Sequence, residues 1–219
     1  RMNPLPPTKQ AALIVGAGDA TGSAIARRFA REGLIACATR RDADKLQPLI
    51  KEIEASGGQA HGFGSDARKE EQVIALVEQI ERDIAPIEVM VFNIGANVPC
   101  SILEETARKY FKIWEMATLS GFLVGREVAK RMVQRQRGTI LFTGATAGLR
   151  GSANFAAFAG AKHALRALAQ SMARELGPKN IHVAHVVVDG AIDTEFIRSN
   201  FPERYALKDQ DGILNPDHI

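Results

Sequence analysis

The sequence predicts a single α/β domain in which a doubly wound parallel sheet is the middle of three layers. Two observations indicate this fold: short apolar runs alternate with segments of helical period along most of the chain, and the length of 219 residues suits one domain. Because parallel strands are joined by right-handed crossovers, this alternation covers both faces of the sheet with helices. We therefore expect ligands to bind beyond the carboxyl ends of the strands.

Six short apolar runs are predicted as strands. They span residues 11–15, 34–38, 61–64, 89–92, 139–142 and 183–188. Five segments carry apolar residues at helical spacing and are predicted as helices. They span residues 23–32, 45–56, 73–83, 107–136 and 154–176. The segment after residue 188 is expected to be loop-like, with short polar helices at most.

Composition and charge exclude several classes of function. The chain is 46% hydrophobic and 24% charged, and its formal net charge of +3 comes from basic residues scattered among acids, so nucleic acid is not an expected partner. Apolar stretches fall short of the roughly 20 residues that span a bilayer, so no membrane partner is expected either. Cys37 lies in an apolar run as a small core residue, and no metal cluster has suitable spacing. A cytoplasmic protein with a small-molecule substrate is expected.

The first strand runs into a glycine-rich turn just before the first helix. Gly16, Gly18 and Gly22 let the backbone approach a pyrophosphate, and Asp19 and Thr21 lie in the same turn at the start of the helix. At this place in an α/β domain, the pattern predicts the dinucleotide-binding loop of a Rossmann-like fold. A tight turn without a ligand is the alternative interpretation.

This turn resembles the Thr-Gly-x-x-x-Gly-x-Gly loop of the short-chain dehydrogenase/reductase family. Gly16 and Gly22 match its spacing, while Val15 replaces the threonine and Ala20 the middle glycine. The resemblance implies an oxidoreductase in which residues 9–219 form one NAD(P)-binding domain. It also implies further cofactor-binding positions: Asp66 and Ala67 at the adenine ring, Asn93 and Gly95 in a turn like Asn-Asn-Ala-Gly, Lys162 from a Tyr-x-x-x-Lys helix, and Ile192 and Thr194 at the nicotinamide carboxamide.

The end of the second strand indicates which nicotinamide cofactor fits. An acid there bonds a ribose 2′-hydroxyl, whereas arginine accepts a 2′-phosphate. Arg40 and Arg41 occupy the position, and no carboxylate stands there to bond the hydroxyl, so NADP(H) is favoured over NAD(H). Asp19 argues against this preference because relatives that bind the phosphate often carry a basic residue at its position. A solvated surface turn is the alternative for both arginines.

The proton-transfer groups of the family are substituted in this sequence. The family uses Asn, Ser, Tyr and Lys, and only Lys162 remains, because the other positions hold Thr118, Ala145 and Phe158. The chain is thus identified as a divergent member of the family, with two alternatives open. Either it is an NADP(H)-dependent oxidoreductase acting on a small carbonyl or alcohol, or it is a catalytically silent NADP(H)-binding relative that works as a sensor, partner subunit or scaffold. The candidate replacement donors are Thr143, Thr146, Lys162 and Tyr205.

Two further expectations concern assembly and chain ends. Helices 107–136 and 156–173 correspond to those that often form a dimer face in the family, which implies a homodimer or homotetramer; packing within one chain is the alternative. Residues 1–8 are expected to be a tag remnant and an N-terminal extension, because Arg1 precedes Met2. The natural chain is expected to continue beyond Ile219 with a closing strand.

Overall fold

A computed structural model describes residues 9–210 and 212–219 and contains one six-stranded parallel sheet. The strands follow the order β3-β2-β1-β4-β5-β6 across the sheet, so the order reverses between β1 and β4. Their bounds are β1 Ala11–Val15, β2 Ile35–Arg40, β3 Ala60–Gly64, β4 Ile87–Phe92, β5 Thr139–Ala145 and β6 His182–Val188. All six predicted strands are present, and the predicted α/β fold with a doubly wound sheet is confirmed.

Helices cover both faces of the sheet. Their bounds are α1 Ala20–Arg31, α2 Gln47–Ala55, α3 Glu70–Asp83, α4 Ala107–Trp114, α5 Ser120–Arg135, α6 Ala156–Leu176, α7 Glu195–Asn200 and α8 Pro202–Tyr205. Alternate residues of β1 point to opposite faces, so that Leu13 packs with α3, α5 and α6 while Ile14 packs with α1 and α2. Cys37 is fully buried in the first of these layers, as expected of a small core residue.

The predicted helix over residues 107–136 is present as an unbroken helical run from Ala107 to Arg135, but it is not α-helical throughout. A π-helical segment, Glu115–Leu119, separates α4 from α5. The hydroxyl of Ser120 donates to the carbonyl oxygen of Glu115 at 2.8 Å, and the hydroxyl of Thr118 donates to the carbonyl oxygen of Ala161 in α6 at 2.8 Å. Side-chain hydroxyls therefore donate hydrogen bonds to backbone carbonyl oxygens in this part of the helix. Single π-helical turns inside helices recur at functional sites.

The segment after β6 contains the short helices α7 and α8. Within this segment, Ile192 and Leu214 form an isolated parallel β-bridge. Within residues 9–210 and 212–219, no helix combines the length and apolar character needed to cross a membrane. In the same residues, no group of three His, Cys, Asp or Glu side chains is arranged to hold a metal ion. The predicted N-terminal extension, residues 1–8, lies outside the described residues.

Candidate functional site

A cavity of about 580 Å³ opens at the carboxyl ends of β1 to β4. It lies at the point where the strand order reverses, which is the usual ligand site of an open α/β sheet. Its lining residues are Val15, Gly16, Gly18, Asp19, Thr39, Arg40, Arg41, Asp42, Lys45, Ser65, Asp66, Ala67, Arg68, Asn93, Ile94, Gly95, Met116 and Ser120. Nine of the predicted cofactor-binding residues are among them.

The glycine-rich turn is built so that only glycine fits at two of its positions. Gly16 has φ +87°, and a Cβ there would overlap the carbonyl oxygen of Asn93. A Cβ on Gly22 would overlap the carbonyl oxygen of Gly16. The turn therefore brings its backbone close to the start of α1 and leaves room in front of it, as a loop that holds a pyrophosphate requires. Gly22 acts through this packing and does not line the cavity.

Asp19 caps the N-terminus of α1 from inside the turn. Its Oδ1 accepts hydrogen bonds from the amide of Gly22 at 2.6 Å and from Nδ2 of Asn93 at 3.0 Å. Asn93 also donates to the carbonyl oxygen of Gly16 at 3.1 Å, so one amide side chain joins the ends of β1 and β4. The carboxylate thus occupies helix donors that would otherwise be available to an anion.

Three cations gather at the end of β2. The guanidinium carbon of Arg40 lies 3.0 Å from the point that a Cβ on Gly18 would occupy, so the absence of that Cβ makes room for the side chain. Arg41 is exposed beside it, and Lys45 follows one turn later, 4.0 Å from a carboxylate oxygen of Asp42. Among the described residues, neither arginine forms an ion pair. The two arginines can therefore receive an anion without breaking an existing ion pair.

At the end of β3, Asp66 is bound by a neighbour that the sequence analysis missed. Arg68 reaches both carboxylate oxygens, at 2.9 Å and 2.7 Å, and its amide donates to Oδ1 at 3.1 Å. These hydrogen bonds lower the pKa of Asp66 from its ordinary value of 3.8 to about 2. Because Arg68 holds the whole carboxylate, Asp66 has few acceptor positions left for the adenine ring that the family resemblance assigns to it.

Lys162 lies under the carboxyl ends of β4 and β5, with only 4% of its surface exposed. Its Nζ donates to the carbonyl oxygens of Ile94 at 3.3 Å and Thr143 at 3.0 Å. Burial lowers the pKa of the ammonium from its ordinary value of 10.5 to about 8. The bound carbonyls supply partial negative charge only, so this amine can gain or lose a proton near neutral pH.

The residues aligned with the remaining proton-transfer groups surround Lys162 but offer no free hydroxyl. The Phe158 ring centroid is 5.8 Å from the ammonium, one turn earlier on α6. Ala145 ends β5 and packs against the same small apolar cluster as Phe158. The hydroxyl of Thr118 is already bonded to α6.

Five predicted cofactor residues do not line the cavity: Gly22 and Lys162, described above, and Thr21, Ile192 and Thr194. Thr21 is 2% exposed within α1, and Thr194 caps α7 by accepting a hydrogen bond from the amide of Ile197 at 3.2 Å. Ile192 takes part in the bridge near the end of the chain. Conversely, nine lining residues are not among the predicted cofactor-binding positions: Val15, Thr39, Asp42, Lys45, Ser65, Arg68, Ile94, Met116 and Ser120. For Lys45, Ser65 and Arg68, the position after β2 or β3 was the available signal.

Comparison with known proteins assigns the family. The model for short chain dehydrogenases matches residues 10–204. The chain belongs to this family. A crystal structure of a short-chain dehydrogenase from Rhodopseudomonas palustris is 49% identical to it, with a TM-score of 0.80, and the match covers 91% of this chain and 92% of that one.

Two further solved members of the short-chain dehydrogenase family contain a nicotinamide cofactor. An NAD+-bound xylitol dehydrogenase is 26% identical, with a TM-score of 0.83, and the match covers 90% of this chain and 76% of that one. An actinorhodin polyketide ketoreductase with NADPH is 25% identical, with a TM-score of 0.88, covering 96% of this chain and 87% of that one. Homologues in this family are thus nicotinamide-dependent oxidoreductases, and both cofactors occur among them.

Proposed function

We propose that the protein is an NADP(H)-dependent oxidoreductase that acts on a small carbonyl or alcohol substrate. The single observation that carries the cofactor assignment is the cluster of Arg40, Arg41 and Lys45 at the end of β2, whose arginines form no ion pair within the described residues. A ribose 2′-phosphate at this point would meet two planar guanidiniums and an ammonium. A ribose 2′-hydroxyl would find no comparably placed free carboxylate, since Asp42 faces Lys45.

The cavity fits the rest of such a cofactor. The loop from Gly16 to Gly22 leaves the space that a pyrophosphate needs, and Ala67 and Arg68 border the end of β3, where an adenine ring would lie. Lys162 would hold the nicotinamide ribose, because its ammonium is fixed by two carbonyls at the ends of β4 and β5. Nicotinamide, when bound, supplies hydride transfer, and the protein must supply the accompanying proton transfer.

The cofactor preference is tested by fluorescence titration with NADPH and NADH. Wild type should bind NADPH more tightly, and Arg41→Ala should weaken NADPH binding by about 1 to 3 kcal/mol while leaving NADH binding nearly unchanged. The matched control is Arg108→Ala, which removes an exposed arginine of α4 outside the cavity. Equal affinity of the wild type for both cofactors would refute the NADP(H) assignment.

A second candidate function is that of a catalytically silent NADP(H)-binding relative. The observation that favours it is the pairing of Ala145 and Phe158 beside Lys162, where the family has serine and tyrosine. Turnover of a panel of ketones, aldehydes and enoyl compounds with NADPH distinguishes the two functions. If the wild type is inactive, the variant Ala145→Ser/Phe158→Tyr should create reductase activity, because the new phenol would lie close to the ammonium and acquire a lower pKa.

A further inference from the structure

The carboxyl ends of β5 and β6 bring a hydroxyl and a carboxylate together. The strand register pairs Ala145 with Val188, so the next residues, Thr146 and Asp189, emerge side by side at the edge of the sheet. The hydroxyl of Thr146 donates a hydrogen bond to Oδ1 of Asp189. The cavity described above covers the ends of β1 to β4, and the second half of a dinucleotide lies on the other side of the point where the strand order reverses.

The carboxylate of Asp189 can be reached by a ligand and by water. Its side chain is exposed, and within residues 9–210 and 212–219 no lysine or arginine forms an ion pair with it. Thr146 is its hydrogen-bond partner there, which leaves Oδ2 open. Thr146 is the first residue of the short turn Thr146–Gly148, which packs on α6 so closely that a Cβ on Gly148 would lie 3.3 Å from the carbonyl oxygen of Lys162. The pair is therefore fixed relative to the buried lysine.

The hydroxyl at the family asparagine position and the other two candidate donor hydroxyls are engaged or placed elsewhere. Thr118 is bonded to a backbone carbonyl of α6. Thr143 lines a separate cavity of about 310 Å³ between α1 and the opposite face of the sheet. The ring of Tyr205 lies between two cations of the C-terminal segment, Arg198 at 5.0 Å and Lys208 at 5.6 Å.

We propose that Thr146 and Asp189 are the proton-transfer pair of this protein, an inference that rests on the proposed oxidoreductase function. In alcohol oxidation, the Thr146 oxygen accepts a hydrogen bond from the substrate hydroxyl; the substrate O–H proton passes to Thr146 as the Thr146 proton passes to the carboxylate of Asp189. The carbinol hydrogen leaves with its electron pair as the hydride that oxidised nicotinamide accepts, and a carbonyl product remains. Asp189 then releases its proton to water, which its exposure allows.

The same carboxylate has a consequence that does not depend on any substrate. Oxidised nicotinamide carries a positive ring, whereas reduced nicotinamide is neutral. A negative charge at the end of β6 therefore favours the oxidised cofactor, and its removal should favour the reduced one. The ratio of the two affinities reports on the position of Asp189 without any turnover.

The test compares wild type with Thr146→Val and Asp189→Asn. The matched control is Thr139→Val, which makes the same change on β5 but at the amino end of the strand, away from the site. Two quantities are measured for each protein: kcat with NADP+ over a panel of secondary alcohols, and the dissociation constants of NADP+ and NADPH by titration. Circular dichroism and melting temperature establish that each variant folds.

We expect Thr146→Val to lower kcat at least 10-fold and Asp189→Asn to lower it at least 100-fold, within the usual range for a lost acid or base. Asp189→Asn should also reduce the NADP+ to NADPH affinity ratio at least threefold, and Thr139→Val should change neither quantity. An unchanged kcat or an unchanged ratio in Asp189→Asn overturns the proposal, as does a wild type that binds NADPH but turns over nothing in either direction. A wild type that binds neither cofactor refutes the proposed function, and the pair with it.

Discussion

Replacing Lys162 with methionine should change how the free energy of unfolding depends on pH. The lysine is 4% exposed and donates to two backbone carbonyls, at 3.0 Å and 3.3 Å. Burial lowers the pKa of its ammonium from 10.5 to about 8. Below pH 8 the ammonium is charged in both the folded and the unfolded chain, so the folded state carries the full cost of burying the charge. Between pH 8 and pH 10.5 the unfolded chain binds more protons, and stability therefore rises with pH.

The magnitude follows from the two pKa values. The difference between 10.5 and about 8 corresponds to about 3 kcal/mol of unfolding free energy. The stability of wild type relative to Lys162→Met should thus increase by about 2 to 3 kcal/mol between pH 7 and pH 10. Methionine fills a similar volume without a titrating group, so the variant lacks this pH dependence. Urea denaturation of both proteins at half-unit pH intervals measures it.

The matched control for this measurement is Lys51→Met, on the exposed face of α2. Its unfolding curve should stay parallel to that of wild type across the same range. Saturating NADPH should flatten the wild-type dependence, because a ribose hydroxyl that accepts from the ammonium stabilises its charged form. Parallel curves for wild type and Lys162→Met without cofactor would refute the argument that the charge is buried at a cost.

Three further outcomes are expected. Arg68→Ala should remove the hydrogen bonds that lower the pKa of Asp66, so its stability deficit, present above pH 4, should shrink as pH falls towards 2 in acid denaturation. Asp19→Ser should keep the cap of α1 but remove a negative charge beside the pyrophosphate site, and a fluorescence titration should give a severalfold lower NADPH dissociation constant. Gly144→Ala should destabilise the fold by about 1 to 3 kcal/mol in thermal melts, because its Cβ would overlap the ring of His185, and adding His185→Ala should restore only part of that loss, since the Cβ would still lie 2.9 Å from the carbonyl oxygen of Val186.

The strand that the sequence predicted with its observed bounds is one whose side chains are all buried. β1 was predicted with its observed bounds because every residue from Ala11 to Val15 is apolar and lies between two helical layers. The predicted end of β5 at residue 142 was three residues too early. Thr143 and Gly144 carry no apolar signal, and the strand continues through them because β6 pairs with it up to Ala145. That pairing joins residues about 40 positions apart, which a local window does not detect.

The candidate site shows the same contrast between features set by local sequence and features set by long-range contacts. The turn from Gly16 to Gly22 was predicted because its backbone requirement is local. The bidentate contact of Arg68 with Asp66 depends on a side-chain conformation, and the π segment before Ser120 depends on hydrogen bonds that include one to α6. Neither the contact nor the π segment produces a periodic pattern in the sequence. The pairing of Thr146 with Asp189 was missed for the same reason, since it follows from the register of β5 and β6.

The charges along the carboxyl edge of the sheet have opposite signs at its two ends. Arg40, Arg41 and Lys45 lie at the end of β2, and Asp189 lies at the end of β6. A ligand that spans this edge is bound best if it is anionic at one end and cationic at the other. Oxidised NADP+ has that arrangement, with a 2′-phosphate at one end and a positive ring at the other, whereas NADPH lacks the positive ring. With the proposed cofactor along this edge, the carboxylate stabilises the oxidised form relative to the reduced one, and the bound reduced cofactor is then the stronger hydride donor towards a carbonyl.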